Sequence, residues 1–391
     1  MPNLFEPLAI NELTIANRLV MGPMAVLAPS PDGRPSEQTI AFLRERARGG
    51  VGLIILGGST GTARCFAESP FQGVLRLDHD DFVADLRRMT DAVHVHGTPI
   101  FAELMAGFGP MAAPTPEFPL IAASPQSIVT PEDQFPKGIH VPGGRATPTP
   151  REAAVAEIHA LQRELVECAV RCQAAGFDGV EVAGHMSYLL SSFLSPRTNW
   201  RTDAYGGSLE NRARVFVEVV RAIREHVGTA FPVGLRITAD EHVRGGQGAA
   251  EYAAIAAHIA AAGVDYVALS DGKYESMYRS APETDADTIA HGDAQAFRAA
   301  LDVPLLLSSI HDPARAAWAI ADGYGDAVML ARPLLADPEY PNKVRDGRSA
   351  QIVRCDRHNH CMSTMMRGLP IRCSQNPRLG LESEAAVSDP A

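Results

Sequence analysis

Eight short apolar runs recur along the chain, and each is followed by a stretch with helical periodicity. The runs span 18–23, 52–56, 99–104, 178–182, 232–237, 265–269, 303–307 and 326–330. The helical stretches span 38–48, 81–96, 153–175, 208–227, 249–262, 293–300 and 313–321, with a weaker eighth beginning near Pro333. Because the runs are continuously apolar rather than alternating, they suit a parallel sheet covered on both faces. Eight βα units in series predict an α/β protein built as a closed (β/α)8 barrel. A doubly wound open sheet is the alternative. The count of eight, and the lack of a G-x-G-x-x-G turn after any run, stand against it.

Three segments fall outside this rhythm. Residues 1–17 precede the first strand and are expected to cover the barrel bottom. Residues 108–150 form a long connection after the third strand with ten prolines; a loop of this length on a compact barrel shapes an active site or is a surface excursion. Residues 351–391 follow the barrel (1–350) and carry Cys355, Cys361 and Cys373, half of the six cysteines. Its last stretch, 382–391, is expected to fray. Cys65, Cys168 and Cys172 read as core thiols. A formal net charge of −11 argues against nucleic acid or an anionic membrane as partner. The N-terminus lacks a basic segment followed by an apolar one, and no run reaches spanning length, so a cytoplasmic, reduced protein is expected.

Catalytic groups of a barrel sit where strands end. The first strand ends in Met21-Gly22-Pro23-Met24-Ala25, small and apolar, an opening suited to a flat ligand. Arg236 ends the fifth. Its charge at the mouth calls for an anionic partner or a structural salt bridge. Ser308-Ser309-Ile310 and Ala331-Arg332-Pro333 end the seventh and eighth, the usual place for a phosphate. A phosphate at one side and a planar ring over the centre describe a cofactor such as FMN.

The stretch Phe193-Leu194-Ser195-Pro196-Arg197-Thr198-Asn199, continued by Arg201-Thr202-Asp203 and Tyr205-Gly206-Gly207-Ser208-Leu209-Glu210-Asn211-Arg212, resembles a signature of the old yellow enzyme family of FMN oxidoreductases. Leu4-Phe5-Glu6-Pro7-Leu8, Asn17-Arg18, Gly22-Pro23-Met24 and Ala331-Arg332-Pro333 extend the likeness over nearly the whole chain. The resemblance implies that Pro23, Met24, Ala25, Gly57 and Glu103 line the isoalloxazine. It puts Arg236 at the N1/O2 edge, and Ser309, Ile310, Ala331 and Arg332 at the phosphate. Glu103 stands where the family usually has Gln, and as a carboxylate would oppose an anionic reduced ring unless protonated. Ala183 and Met186 replace the residues that polarise a substrate carbonyl in simple ene-reductases. Tyr188 matches the family's proton-donating Tyr, and His185 lies one position off the usual pattern. Tyr274, the nearest counterpart of a His that 2,4-dienoyl-CoA reductases use after strand six, is a second acid candidate. The pattern is closest to the 2,4-dienoyl-CoA reductase and trimethylamine dehydrogenase branch.

That branch holds a [4Fe–4S] cluster on four cysteines in its tail. Here Cys355, Cys361 and Cys373 remain, and His358 falls at the second ligand position. Three outcomes stand: a Cys3His cluster, a structural Cys3His zinc site, or a vestigial tail. The resemblance implies reduction of an activated alkene, an enoyl- or dienoyl-CoA thioester or an enone. Hydride would come from flavin N5 and the proton from Tyr188. An amine or acyl dehydrogenase passing electrons to a partner, and a non-catalytic FMN- or metal-binding barrel, are the alternatives. Larger relatives continue into an FAD- and NAD(P)H-binding half, which this sequence lacks. Electrons are therefore expected from NAD(P)H directly, or from a separate reductase or ferredoxin, with a homo-oligomer as a further expectation.

Overall fold

The eight apolar runs close into a barrel. In the computed structural model, which describes residues 3–25, 28–71, 73–285 and 287–385, the strands are β1 (Leu19–Met21), β2 (Leu53–Leu56), β3 (Ile100–Leu104), β4 (Gly179–Gly184), β5 (Val233–Thr238), β6 (Tyr266–Ser270), β7 (Leu305–Leu307) and β8 (Ala327–Leu330). All pair in parallel and in chain order, and Leu330 opposite Met21 closes the ring. β7 starts two residues later than its apolar run, after Pro304, which has no N–H to give the ladder.

Helices α1 (Glu37–Arg48), α2 (Val83–His94), α3 (Val155–Ala174), α4 (Leu209–Val227), α5 (Ala249–Ala260), α6 (Asp293–Ala300) and α7 (Pro313–Ala321) surround it. Their starts follow from local chemistry. Ser36, Ser208 and Asp312 each accept a backbone N–H of the first turn of α1, α4 and α7. The expected eighth helix is broken into α8 (Arg332–Ala336) and α9 (Tyr340–Arg345), because Asp337 before Pro338 adopts an extended conformation.

Below the mouth the interior is filled by Val20, Leu53, Ile55, Phe101, Tyr266, Leu306 and Met329. The N-terminal hairpin, Leu8–Ile10 paired antiparallel with Leu13–Ile15, plugs the floor of this layer with Ile10 and Ile15, both wholly buried. The long connection after β3 is braced rather than loose. It holds a 3-10 turn (Gly109–Met111), a parallel bridge of Ile121–Ala122 to Arg151–Glu152, and an antiparallel one of Val129–Thr130 to Arg145–Ala146. Its Phe108, Met111, Ile128 and Phe135 form one apolar cluster with Ala183, Met186, Tyr274 and Met277 at the mouth.

The tail lies across this cluster through Met362 and Met366 of α10 (His360–Met366). It then returns to α1, where Glu382 pairs with the fully buried Arg46 at 2.7 Å. Glu382–Ala385 is therefore an anchored turn and not a frayed end; the rest of that expected stretch, 386–391, lies outside the described residues.

Candidate active site

The strand ends open into a cavity of about 260 Å³ that touches Pro23, Met24, Ala25, His185, Tyr188, Arg236, Tyr274, Ala331, Arg332 and Cys361. A narrower one of about 80 Å³ shares Pro23, Arg236, Ala331 and Arg332 with it and reaches Ser308, Ser309 and His311 at the β7 end. Gly57 makes the floor flat: a Cβ there would stand 2.5 Å from the Met24 nitrogen and 2.6 Å from Pro23 Cβ. Segment 23–25 can thus lie directly over the end of β2. Ser309 has φ +65°, a strained left-handed conformation of the kind that collects at functional sites. A broader groove of about 800 Å³ runs along the outside between α3 and α4, remote from the strand ends.

Under the mouth three buried polar groups converge without satisfying one another. Glu103 Oε1 lies 3.7 Å from His185 Nδ1 and 3.9 Å from Arg236 Nε, and none of these three atoms has a hydrogen-bond partner. Buried groups this polar are nearly always paired. Desolvation raises the Glu103 carboxyl to about 7, against the pull of Arg236. Directly opposite it in register stands Glu181, which accepts from Tyr266 Oη at 3.0 Å and which burial pushes up to about 8. Burial, aided by Arg236, keeps His185 neutral.

Above them Tyr188 and Tyr274 share a hydrogen bond, Oη to Oη at 3.1 Å. The Tyr188 ring meets Tyr274, His185 and Phe108 edge to face. Burial raises both phenols above their ordinary pKa, so both hold their protons at neutral pH. The backbone N–H of Tyr274 donates to Ser187 Oγ, Ser187 donates to Glu275, and Glu275 pairs with Arg197 at 2.8 Å. Arg197, from the signature stretch, thereby locks the loops after β4 and β6 together.

Of the residues expected at a phosphate, Ser309, Ala331 and Arg332 line the narrow cavity. Ile310 is wholly buried in the main core, so only its backbone could face a ligand. Arg332 is half committed elsewhere: Nη1 donates to Asn359 Oδ1 at 2.8 Å and Nη2 to the Pro282 carbonyl at 3.1 Å. Beside it His311 is neutral, its pKa pushed down to about 3 by burial and by Arg332. Sequence reasoning missed Glu181 and His311, and noted Asn359 only as matching the family's Asn in the tail. A charged residue inside the apolar run 178–182 was the available signal for Glu181; His311 had none.

The three tail thiols act electrostatically on one another, and Cys355 and Cys361 on Arg332. His358 does not join them. Its side chain is 64% exposed and sits 3.4 Å from Asp356. Among the described residues, no three of these four tail side chains bring donor atoms within 4.8 Å of one another, as a compact tetrahedral zinc site with bonds of about 2.0–2.3 Å would need. His358, oriented as it is, leaves the three thiols without a fourth ligand.

The orphaned Glu103, Arg236 and His185 atoms, the flat floor over β2 and the Ser309–Arg332 end fit FMN. Glu103 and Arg236 would meet its ring edge, and Ser309 and Arg332 its phosphate. A (β/α)8 barrel with this site at its C-terminal mouth defines a class of flavin-dependent oxidoreductase scaffolds. The chain belongs to the NADH:flavin oxidoreductase / NADH oxidase family, whose model matches residues 3–351. It is 36% identical to an NADH oxidase of Thermoanaerobacter brockii over 97% of this chain and 57% of that protein. Among solved structures, a 2-naphthoyl-CoA reductase complex superimposes with a TM-score of 0.87 at 28% identity, covering 98% of this chain and 58% of that one. Morphinone reductase in complex with tetrahydroNAD gives 0.72 at 27%, covering 89% and 92%. The chain spans just over half the length of the curated relatives it matches. Among the described residues no helix is long and apolar enough to cross a membrane.

Proposed function

We propose that the chain reduces an activated carbon–carbon double bond, in an enone or an α,β-unsaturated thioester, with FMN as cofactor, NAD(P)H as electron source and Tyr188 as proton donor. The observation that carries this reading is the pair of neutral tyrosines at the mouth, hydrogen-bonded at 3.1 Å above the unpaired Glu103 and Arg236. Bound FMN would supply the hydride. Arg236 gives a fixed positive charge to the side on which reduced flavin is negative. Glu103, titrating near neutrality, can donate as an acid where a permanent carboxylate would repel that charge. Tyr188 keeps a proton available for a carbanionic carbon, and Tyr274 holds the phenol in place. The apolar cluster of the 108–150 segment shields the tyrosines from water. Cys355, Cys361 and Cys373 would carry an iron–sulfur cluster, with His358 as fourth ligand only after its side chain turns inward. Iron and sulfide analysis of anaerobically purified protein tests that assignment.

Stopped-flow kinetics test the main one. Tyr188→Phe is expected to slow reoxidation of the reduced protein by an enone about 10²- to 10⁴-fold, while reduction by NAD(P)H stays within about twofold. Equal slowing of both halves would refute the proton-donor role. A flavin bleached only by an amine would overturn alkene reduction in favour of dehydrogenation.

A further inference from the structure

Away from the tyrosines, the rim of the barrel carries a second cluster. His242 follows β5, Asp271 follows β6 directly, and Asp293 opens α6; a donor atom from each lies within 4.8 Å of the other two. His242 Nε2 meets Asp271 Oδ1 at 2.7 Å, and its Nδ1 lies 3.5 Å from Asp240. Three carboxylates thus converge on one imidazole. The positive groups acting on them are His242, His291, whose ring lies 6.1 Å from that of His242, and Arg279, which acts on the imidazole.

Asp293 points to what is held here. It is 4% exposed, its carboxylate takes part in this group, and its Oδ2 has no hydrogen-bond partner. A buried carboxylate oxygen without a donor is costly.

We propose that His242, Asp271 and Asp293 bind one divalent cation that prefers nitrogen and oxygen ligands, of the Mn²⁺ type, and so join β5, β6 and α6 at the rim. One imidazole and two or three carboxylates form the donor set such ions take, whereas soft, thiophilic ions favour the cysteine tail. Bonds of about 2.1 Å put neighbouring donors about 3 Å apart, a spacing that a group this tight reaches with small side-chain rotations.

The test uses the purified flavoprotein, stripped with EDTA, desalted and titrated with MnCl2 while free Mn²⁺ is followed by electron paramagnetic resonance. One Mn²⁺ per chain is expected, accompanied by a rise in melting temperature. His242→Gln and Asp293→Asn should each weaken binding at least about tenfold, with flavin content and circular dichroism unchanged. Asp271 is left intact because it also lines the narrow cavity. If Asp293→Asn fails to fold, His242→Gln, at a side chain 14% exposed, carries the test. Absence of binding up to about 1 mM, or binding undiminished by His242→Gln, would overturn the proposal and leave the cluster as an ion pair.

Discussion

Glu103→Gln isolates what burial does to the carboxyl beneath the mouth. In the unfolded chain this group titrates at 4.5, and in the fold at about 7. Its folded pKa is raised, so the folded state binds the extra proton between these values and loses stability as pH rises through the window. A rise from 4.5 to about 7 corresponds to roughly 3 kcal/mol in all. Because the carboxyl is buried, little of this is lost to solvent screening. Most of it, about 2–3 kcal/mol, falls between pH 5 and pH 8. Glutamine keeps the shape and an acceptor but cannot ionise. The variant should therefore gain about 2–3 kcal/mol on the wild type on going from pH 5 to pH 8, whatever offset the substitution itself introduces. Urea unfolding of flavin-free protein at the two pH values measures this double difference, in which Asp293 and other titrations remote from Glu103 cancel to first order, while Glu181, raised in part by the Glu103 charge, shifts with it. A gain below about 1 kcal/mol would mean that Arg236 offsets the desolvation. The account of Glu103 as an acid near neutrality would then be wrong.

Two further substitutions probe the cradle. Gly57→Ala drives a methyl into the Met24 nitrogen and Pro23; it should cost about 1–3 kcal/mol of stability and release flavin, read as lost yellow absorbance after gel filtration. Asn359→Ala removes one donor–acceptor link of Arg332. It should lower unfolding free energy by about 1.5–3 kcal/mol, and an unchanged urea midpoint would show that the tail does not hold Arg332.

Two features that read alike in sequence separate in the fold. His358 and Asn359 are neighbours at the cysteine spacing, and the spacing drew attention to the imidazole. Yet Asn359 is the buried one, tying the tail to Arg332 and to the Lys137 carbonyl of the long loop, while His358 faces Asp356 and solvent. Ligand spacing fixes how far apart residues are along the chain, not which way a side chain turns. The same limit applies to 382–391, where position at the chain end suggested fraying and Arg46 and Gln38 of α1 anchor the start.

The barrel itself was legible one-dimensionally. Continuous apolar runs and helical periodicity are local consequences of strands buried on both faces, so their count and order were readable, as were the strand-end residues 23–25, 236 and 331–332. Glu103 and Tyr188 could be singled out, but not what surrounds them. That Glu103 meets Glu181 on the next strand and Arg236 one strand further on, that Tyr188 finds Tyr274 86 residues away, and that His242, Asp271 and Asp293 meet at the rim were decided by barrel closure alone. Charge, burial and hydrogen bonding act through distance in space, and only a closed ring of strands brings such remote positions within a few ångströms.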